Sequence, residues 1–288
     1  MGDNRLRFLV VMAHPHDFTS VAGTCGIHAA AGDEVTWVSM TAGASTHNER
    51  LADELAKPEE EQDPKIVDQD PHEYMTQKTD ELNAIADLFG VNGCRALPYP
   101  DKPFLVERNP EAVEKIRSII LEVRPHVILT QSPYLTGPQG MASGARNDHT
   151  ETGFAVIEAK LLAQIPRYGT REAPHVVPAT FFPGIYFEKN QWDFVVDIGG
   201  EFYEKRVEAE VLFKSQGHTA EYSRRRIDST VGNTGYFAGI THGEAFVRER
   251  PEVVSKIRLS DYTLRRAVEP RLDMIRRQGG RAVGSKES

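Results

Sequence analysis

Short apolar runs alternate along the chain with longer segments of helical periodicity, and that alternation sets the fold class. Residues 7–13, RFLVVMA, are almost wholly apolar, as expected of a strand buried on both faces of a parallel sheet. Small residues carry a helical stretch, FTSVAGTCGIHAAAGD, that stops at Gly32-Asp33, and EVTWVSMTAG then reads as a second strand ending in a glycine turn. This is an opening βαβ unit. EYMTQKTDELNAIADLF, 73–89, predicts a helix stopped by Gly90, residues 94–99 a short strand, and PEAVEKIRSIILEV, 110–123, an amphipathic helix with Pro in its first turn. HVILTQS, 126–132, is a fourth buried strand running into the loop PYLTGPQGMASGARNDH, after which TETGFAVIEAKLLAQI is helical. Further on, 175–199 reads as β-rich, 201–216 as a helix, 217–247 as a polar loop and 259–278 as a last helix. The expectation is one α/β domain over 1–288 with a mostly parallel sheet. Within it, the acidic stretch 45–72, with its EEE run and two Asp-Pro pairs, is expected to be a lid or insertion, and 279–288 a frayed tail.

Composition narrows the class. The chain is 40% hydrophobic and 26% charged, ordinary for a soluble globular protein. A net charge of −8 argues against a nonspecific nucleic-acid binder, so an anionic ligand must be held by local Arg or Lys. No run approaches the roughly 18–20 apolar residues that span a bilayer, and the N-terminal apolar run is read as a strand rather than a signal peptide. Cys25 and Cys94 make neither a disulfide framework nor a zinc cluster, which fits a reduced, cytoplasmic setting. The expected partner is a small molecule bearing carboxylates, with no nucleic acid and no membrane; a homo-oligomer stays open.

In an open parallel sheet, ligands bind beyond the carboxyl ends of the strands. Strand 7–13 runs into AHPHD, strand 34–40 into TAGASTHN and strand 126–132 into the loop ending RNDH, so these groups should meet on one side. His14 and Asp17 from the first loop and His149 from the last give two imidazoles and a carboxylate with a position left for water, the composition of a catalytic zinc site. Singly, each has a plainer reading: His14-Pro15 can form a turn, and Asp148-His149 can cap the helix that begins there. Their arrival at separate strand ends points to zinc or another divalent ion.

HP-x-D after the first strand and DH opening the helix after the fourth resemble the PIG-L/LmbE superfamily of zinc-dependent deacetylases. So do LFG at 88–90, YPD at 99–101, and KR-x-E-A with a following SQ at 205–216. The likeness covers roughly residues 5–250. It implies a Rossmann-like three-layer sandwich and makes His14, Asp17 and His149 the metal ligands. Two positions depart from it. The deacetylases typically read HPDD-x-E, with the first Asp as general base; here His16 stands in its place and Phe18 replaces the Glu. Their second motif is typically HPDH, whose first His stabilises the oxyanion; here it is RNDH, with Arg146. These departures, and QGHTAEY at 216–222, are similar to the 4-oxalomesaconate hydratase branch, whose members add water across a carbon–carbon double bond of an oxo acid. An acidic residue expected in the loop after the second strand is missing from Ala44 to Asn48.

The resemblance implies an enzyme, favoured as a hydratase-like lyase of an unsaturated oxo-carboxylate. The alternatives are an N-deacetylase or amidase, and an inactive metal-binding relative. In the hydratase reading Arg146 binds a substrate carboxylate with its guanidinium fork, and His218, His47 or His16 relays protons. In the deacetylase reading His16, whose ordinary pKa is about 6.5, replaces Asp as base. Arg146 then stabilises an oxyanion by charge alone. His47, Asp148, Arg225 and Glu244 are the candidate substrate contacts, against plain readings of Asp148 as a helix cap and of Arg224 to Arg226 as a solvated face. Asp101 is expected to orient a ligand histidine through a hydrogen bond.

Overall fold

Strand β1 (Arg7–Met12) is buried on both faces because its side chains alternate between two cores. Phe8, Val10 and Met12 point into one, while Leu9 and Val11 point into the other. The computed structural model describes residues 5–101, 109–133 and 147–278. After β1 come α1 (Ala22–Ala30), β2 (Glu34–Thr41), α2 (Glu49–Leu55), α3 (Pro64–Val67), α4 (Pro71–Leu88), β3 (Gly93–Tyr99), α5 (Pro110–Val123), β4 (Val127–Thr130) and α6 (Asp148–Ala163). The second half adds β5 (Ala179–Pro183), β6 (Phe194–Asp197), α7 (Glu201–Leu212), α8 (Ala220–Ile227), α9 (Asn233–Ala238), β7 (Gly243–Arg248), α10 (Asp261–Arg265) and α11 (Arg271–Gln278).

The seven strands form one sheet in the order β3-β2-β1-β4-β5-β7-β6. The first five in that order are parallel, and β7 pairs antiparallel with both β5 and β6. One core fills the space between the sheet and α1, α4 and α7, with Trp37, Leu82, Ile85 and Phe213 fully buried. The other lies under α5 and α6 and is built on Ile116, Ile120, Val156 and Ala159. The expected three-layer α/β sandwich is therefore the observed one. No helix among the described residues is long and apolar enough to cross a membrane.

Helix starts follow local chemistry. Asp70 and Asn109 cap α4 and α5 by accepting backbone N–H groups, each followed by Pro at the first helical position. Within the acidic stretch 45–72 the chain forms α2 and α3, capped by Asn48 and Asp63. Glu54 ties them by accepting from Asp63 N. Two expectations are corrected. Residues 217–247 are not a loop: α8, a π turn and α9 follow one another, and β7 begins at Gly243. Only Ser223 and Ile227 of α8 are buried, so the polar composition hid a helix that turns one narrow face inward. The last helix breaks into α10 and α11 because Pro270 lacks the N–H to continue it.

Gly153 fixes how closely α6 approaches the end of β4. A Cβ there would lie 2.5 Å from the carbonyl oxygen of Gln131 and 2.7 Å from Pro133 N. Gly153→Ala should therefore destabilise the protein by about 1–3 kcal/mol through overpacking, although Ala is the better helix former. Denaturant unfolding checks this; a stabilised variant would contradict it.

Candidate functional site

The strand order reverses between β1 and β4, so the chain leaves their carboxyl ends in opposite directions and a crevice opens between them. Beyond β1, His14 keeps an extended backbone and Pro15–Ser20 form a 3-10 turn. His14 N donates to Asp17 Oδ2 at 2.8 Å and Asp17 N to His14 O at 3.1 Å, which folds Asp17 back beside His14. From the other side α6 delivers His149 in its first turn. Its cap is Asn147, which accepts from His149 N and Thr150 N. Asp148 is thus free of the capping role.

His14 Nδ1 lies 3.3 Å from His149 Nε2 and 3.4 Å from Asp17 Oδ2, and His149 Nε2 lies 3.4 Å from Asp17 Oδ1. An ion with tetrahedral arms of about 2.0–2.1 Å has edges of about 3.3–3.4 Å, so the two ring nitrogens, and each of them with one oxygen of the Asp17 carboxylate, stand at ligand spacing. Asp148 Oδ2 meets His14 Nε2 at 2.9 Å. A carboxylate there holds the proton on Nε2 and turns the Nδ1 lone pair toward the other two groups. Two nitrogens and one oxygen, buried to half-buried, fit a divalent ion. Burial lowers the pKa of His14, but hydrogen bonds to Asp148 and Asp17 outweigh it and raise it to about 9. Burial opposes the charge of Asp17, yet His149 and His14 hold its carboxyl well below the ordinary range. Gln131, at the end of β4, adds a donor: Nε2 gives to Asp17 Oδ2 and Oε1 accepts from Ala13 N, both at 2.8 Å.

A second group lies on the other side of the 14–17 turn. His16 Nε2 hydrogen-bonds Glu210 Oε2 at 2.9 Å, and His218 Nδ1 stands 3.2 Å both from that oxygen and from the backbone carbonyl oxygen of Glu210. Glu210 comes from α7 and is buried, and Arg226 Nε reaches its other oxygen at 3.5 Å. The rings of His16 and His218 are 5.3 Å apart, the edge of Phe213 packs on His16, and His47 stands 6.1 Å from His16. This set could also hold a metal. Its contacts, however, are at hydrogen-bond lengths, shorter than tetrahedral edges.

The loop after β2 closes the crevice. Asp101 accepts from Ala44 N, Ser45 N and Thr46 N, each at 2.8 Å, so it does not bond a ligand histidine as expected. It acts through the loop, whose Thr46 Oγ1 lies 3.3 Å from His14 Nε2. Lys78, fully buried, donates to Thr46 O, and Tyr74 donates to His47 O. Burial pushes the Lys78 ammonium down to about 8, against the pull of Asp101. His47, held at φ +57, is half exposed beside Glu49.

Other expectations need correction. Glu244 is buried, and its carboxylate is taken up by Gly23 N, Thr24 and Arg206, so it braces the start of α1 instead of meeting substrate. Arg225 is exposed on α8 and lines a shallow cleft with Glu221, Arg224 and Asp228, while Arg226 is the one that reaches Glu210. Asp148 bonds His14, and its Oδ1 is buried with no partner among the described residues. Arg146 lies outside the described residues. The sequence reading missed Glu210, Gln131 and Lys78. Glu210 sits in KRVEAEVL, where a buried carboxylate looks like any helical Glu; the signal was its place four residues beyond Arg206 on a half-apolar helix.

A model of the PIG-L family, described as GlcNAc-PI de-N-acetylase, matches residues 9–160. The search of curated proteins finds no match. Among solved structures, the fold is similar to that of the 4-carboxy-2-hydroxymuconate hydratase of Pseudomonas putida. That match has a TM-score of 0.66 and 19% identity, over 88% of this chain and 100% of that one. It is also similar to the N,N'-diacetylchitobiose deacetylase of Pyrococcus horikoshii, with a TM-score of 0.65 and 21% identity over 85% of this chain and 84% of that one.

Glu210 makes a prediction about acid stability. Burial raises its pKa, but His16, His218 and Arg226 bring the carboxyl well below its ordinary 4.5. Its ionised form therefore contributes stability above that pH, and the contribution is lost as pH falls through the folded value. Glu210→Gln should cost on the order of 1–3 kcal/mol at pH 7 and flatten the acid limb. Denaturant melts across pH check this, and equal acid slopes in the two proteins would contradict it.

Proposed function

The chain belongs to the PIG-L family, and on that premise we propose a metal-dependent enzyme that adds water to an unsaturated oxo-carboxylate, a hydratase-like lyase. The ion, zinc or another divalent metal, would be held by His14, Asp17 and His149. When bound, it supplies Lewis acidity and lowers the pKa of a water to about 7.

The observation that carries this reading is the convergence of His16 and His218 on one oxygen of Glu210. Glu210 is ionised and can only accept, so both ring nitrogens facing it must donate. That leaves His16 Nδ1 and His218 Nε2 to take and give protons. Hydration needs both acts: a base for the water and an acid for the carbon at the far end of the double bond. An amide hydrolase with an Asp at position 16 would carry its base on a carboxylate instead. Arg146 and Arg226 are the guanidinium groups for substrate carboxylates, in a chain whose net charge of −8 gives anions no general attraction. The hydratase among the structural neighbours supports this reading. Free Cys25 and Cys94 fit a cytoplasmic setting.

Zinc-loaded protein is incubated with unsaturated oxo-dicarboxylates and, separately, with N-acetylated amino sugars. The expected result is loss of enol absorbance without amine release. Amine release would establish the deacetylase instead, and no turnover of either with zinc bound would leave an inactive relative. Asp148→Asn should weaken zinc binding by roughly 10–100-fold in equilibrium dialysis, because His14 loses the group that orients it. Glu210→Gln should lower kcat by roughly 100-fold with zinc affinity unchanged. A loss of zinc in that variant would place the ion in the wrong cluster.

A further inference from the structure

Every residue from Arg250 to Val268 is exposed, yet this stretch contains α10 and leads into α11. The arm touches the body through a few polar bonds. Tyr262 donates to Asp197 Oδ2 at 3.0 Å, Arg277 to Gly239 O, and Gln278 Nε2 to Tyr236 O at 3.3 Å. Its apolar side chains stay uncovered: Val253 is 97% exposed, Ile257 90%, Val268 81%, Leu272 65% and Ile275 60%. Helices of five and eight residues are too short to hold themselves in water without packing. Nine large apolar side chains of the arm are about half exposed or more. At on the order of 100 Å² each they present roughly 900 Å², about what each partner buries in a stable interface of standard size. Exposed apolar area of that extent on one arm points to a contact site.

The arm is also basic. Residues 250–278 contain eight Lys and Arg against four Asp and Glu, a net +4, so the rest of the chain carries −12. More than half of that surplus, −7, lies in residues 49–73, which form the exposed helices α2 and α3 and the start of α4.

We propose that the C-terminal arm docks on a second copy of this chain, its basic positions facing the acidic body of the partner and its apolar ones buried between the copies. Opposite net charges on two parts of one chain favour self-association and steer it. An anionic lipid surface would attract the arm but repel a body of −12.

Sedimentation velocity of the full chain at about 1–100 μM tests this, since association follows mass action. The expected mass is twice 32.2 kDa or a higher multiple. Ile257→Asp with Val268→Asp should sediment as a single chain, with unchanged circular dichroism and zinc binding. Should that pair disturb folding, Val253→Glu alone, at a nearly fully exposed position, should still raise the dissociation constant at least tenfold. A wild-type monomer across the whole range, or variants that assemble as well as the wild type, would overturn the proposal. So would co-sedimentation of the monomer with phosphatidylcholine–phosphatidylglycerol vesicles, which would assign the arm to lipid.

Discussion

The buried charge of Asp17 is the constraint around which the site is organised. An ionised carboxylate taken out of water costs several kcal/mol unless it is paired and hydrogen-bonded. Here the compensation comes from three elements at once. The 14–17 turn supplies His14 N, the end of β4 supplies Gln131 Nε2, and α6 supplies His149. Each of these needs the sheet in its observed order, because β1 and β4 must be neighbours for Gln131 to bridge Ala13 N and Asp17. Gly153 completes the arrangement by letting α6 close on the backbone of β4. Moving any one element leaves a buried anion short of a partner.

Helix α7 connects this site to the far side of the molecule. On one turn Arg206 pairs with Glu244, which holds the N–H groups at the start of α1. On the next turn Glu210 holds His16 and His218. The turn that carries His14, His16 and Asp17 is therefore gripped from α6 on one side and α7 on the other. Adjacent residues are thus directed to different tasks: Asp17 faces the two ligand-spaced imidazoles, and His16 faces away toward Glu210.

Much of this was legible in the sequence, for a physical reason. A strand buried on both faces must be almost wholly apolar, so RFLVVMA and HVIL stand out, and polar groups just beyond them are placed together by the rule that strand ends share one side. Hence His14, Asp17 and His149, although 135 residues separate the first from the last, are found together. What stayed hidden were partners inside helices and strand ends. Gln131 carries no local pattern that distinguishes a buried polar group from an exposed one, and Glu210 only the faint one of following Arg206 by one helical turn. Glu244 looked like a site acid because the family resemblance implies an acidic residue near that position, and only β7 pairing between β5 and β6 shows it turned inward. Among Arg224, Arg225 and Arg226, the phase of α8 decides which reaches the site, and a 100° step per residue separates the three.

The central claim is that His14, Asp17 and His149 form the metal centre, while His16, Glu210 and His218 form a hydrogen-bonded proton-handling set. Anomalous diffraction at the zinc edge, from crystals of zinc-loaded protein, tests it most directly. One strong peak bonded to His14 Nδ1, Asp17 and His149 Nε2, with none between His16 and Glu210, is the predicted result. A peak on the Glu210 set instead, or no peak at the first position, would contradict it.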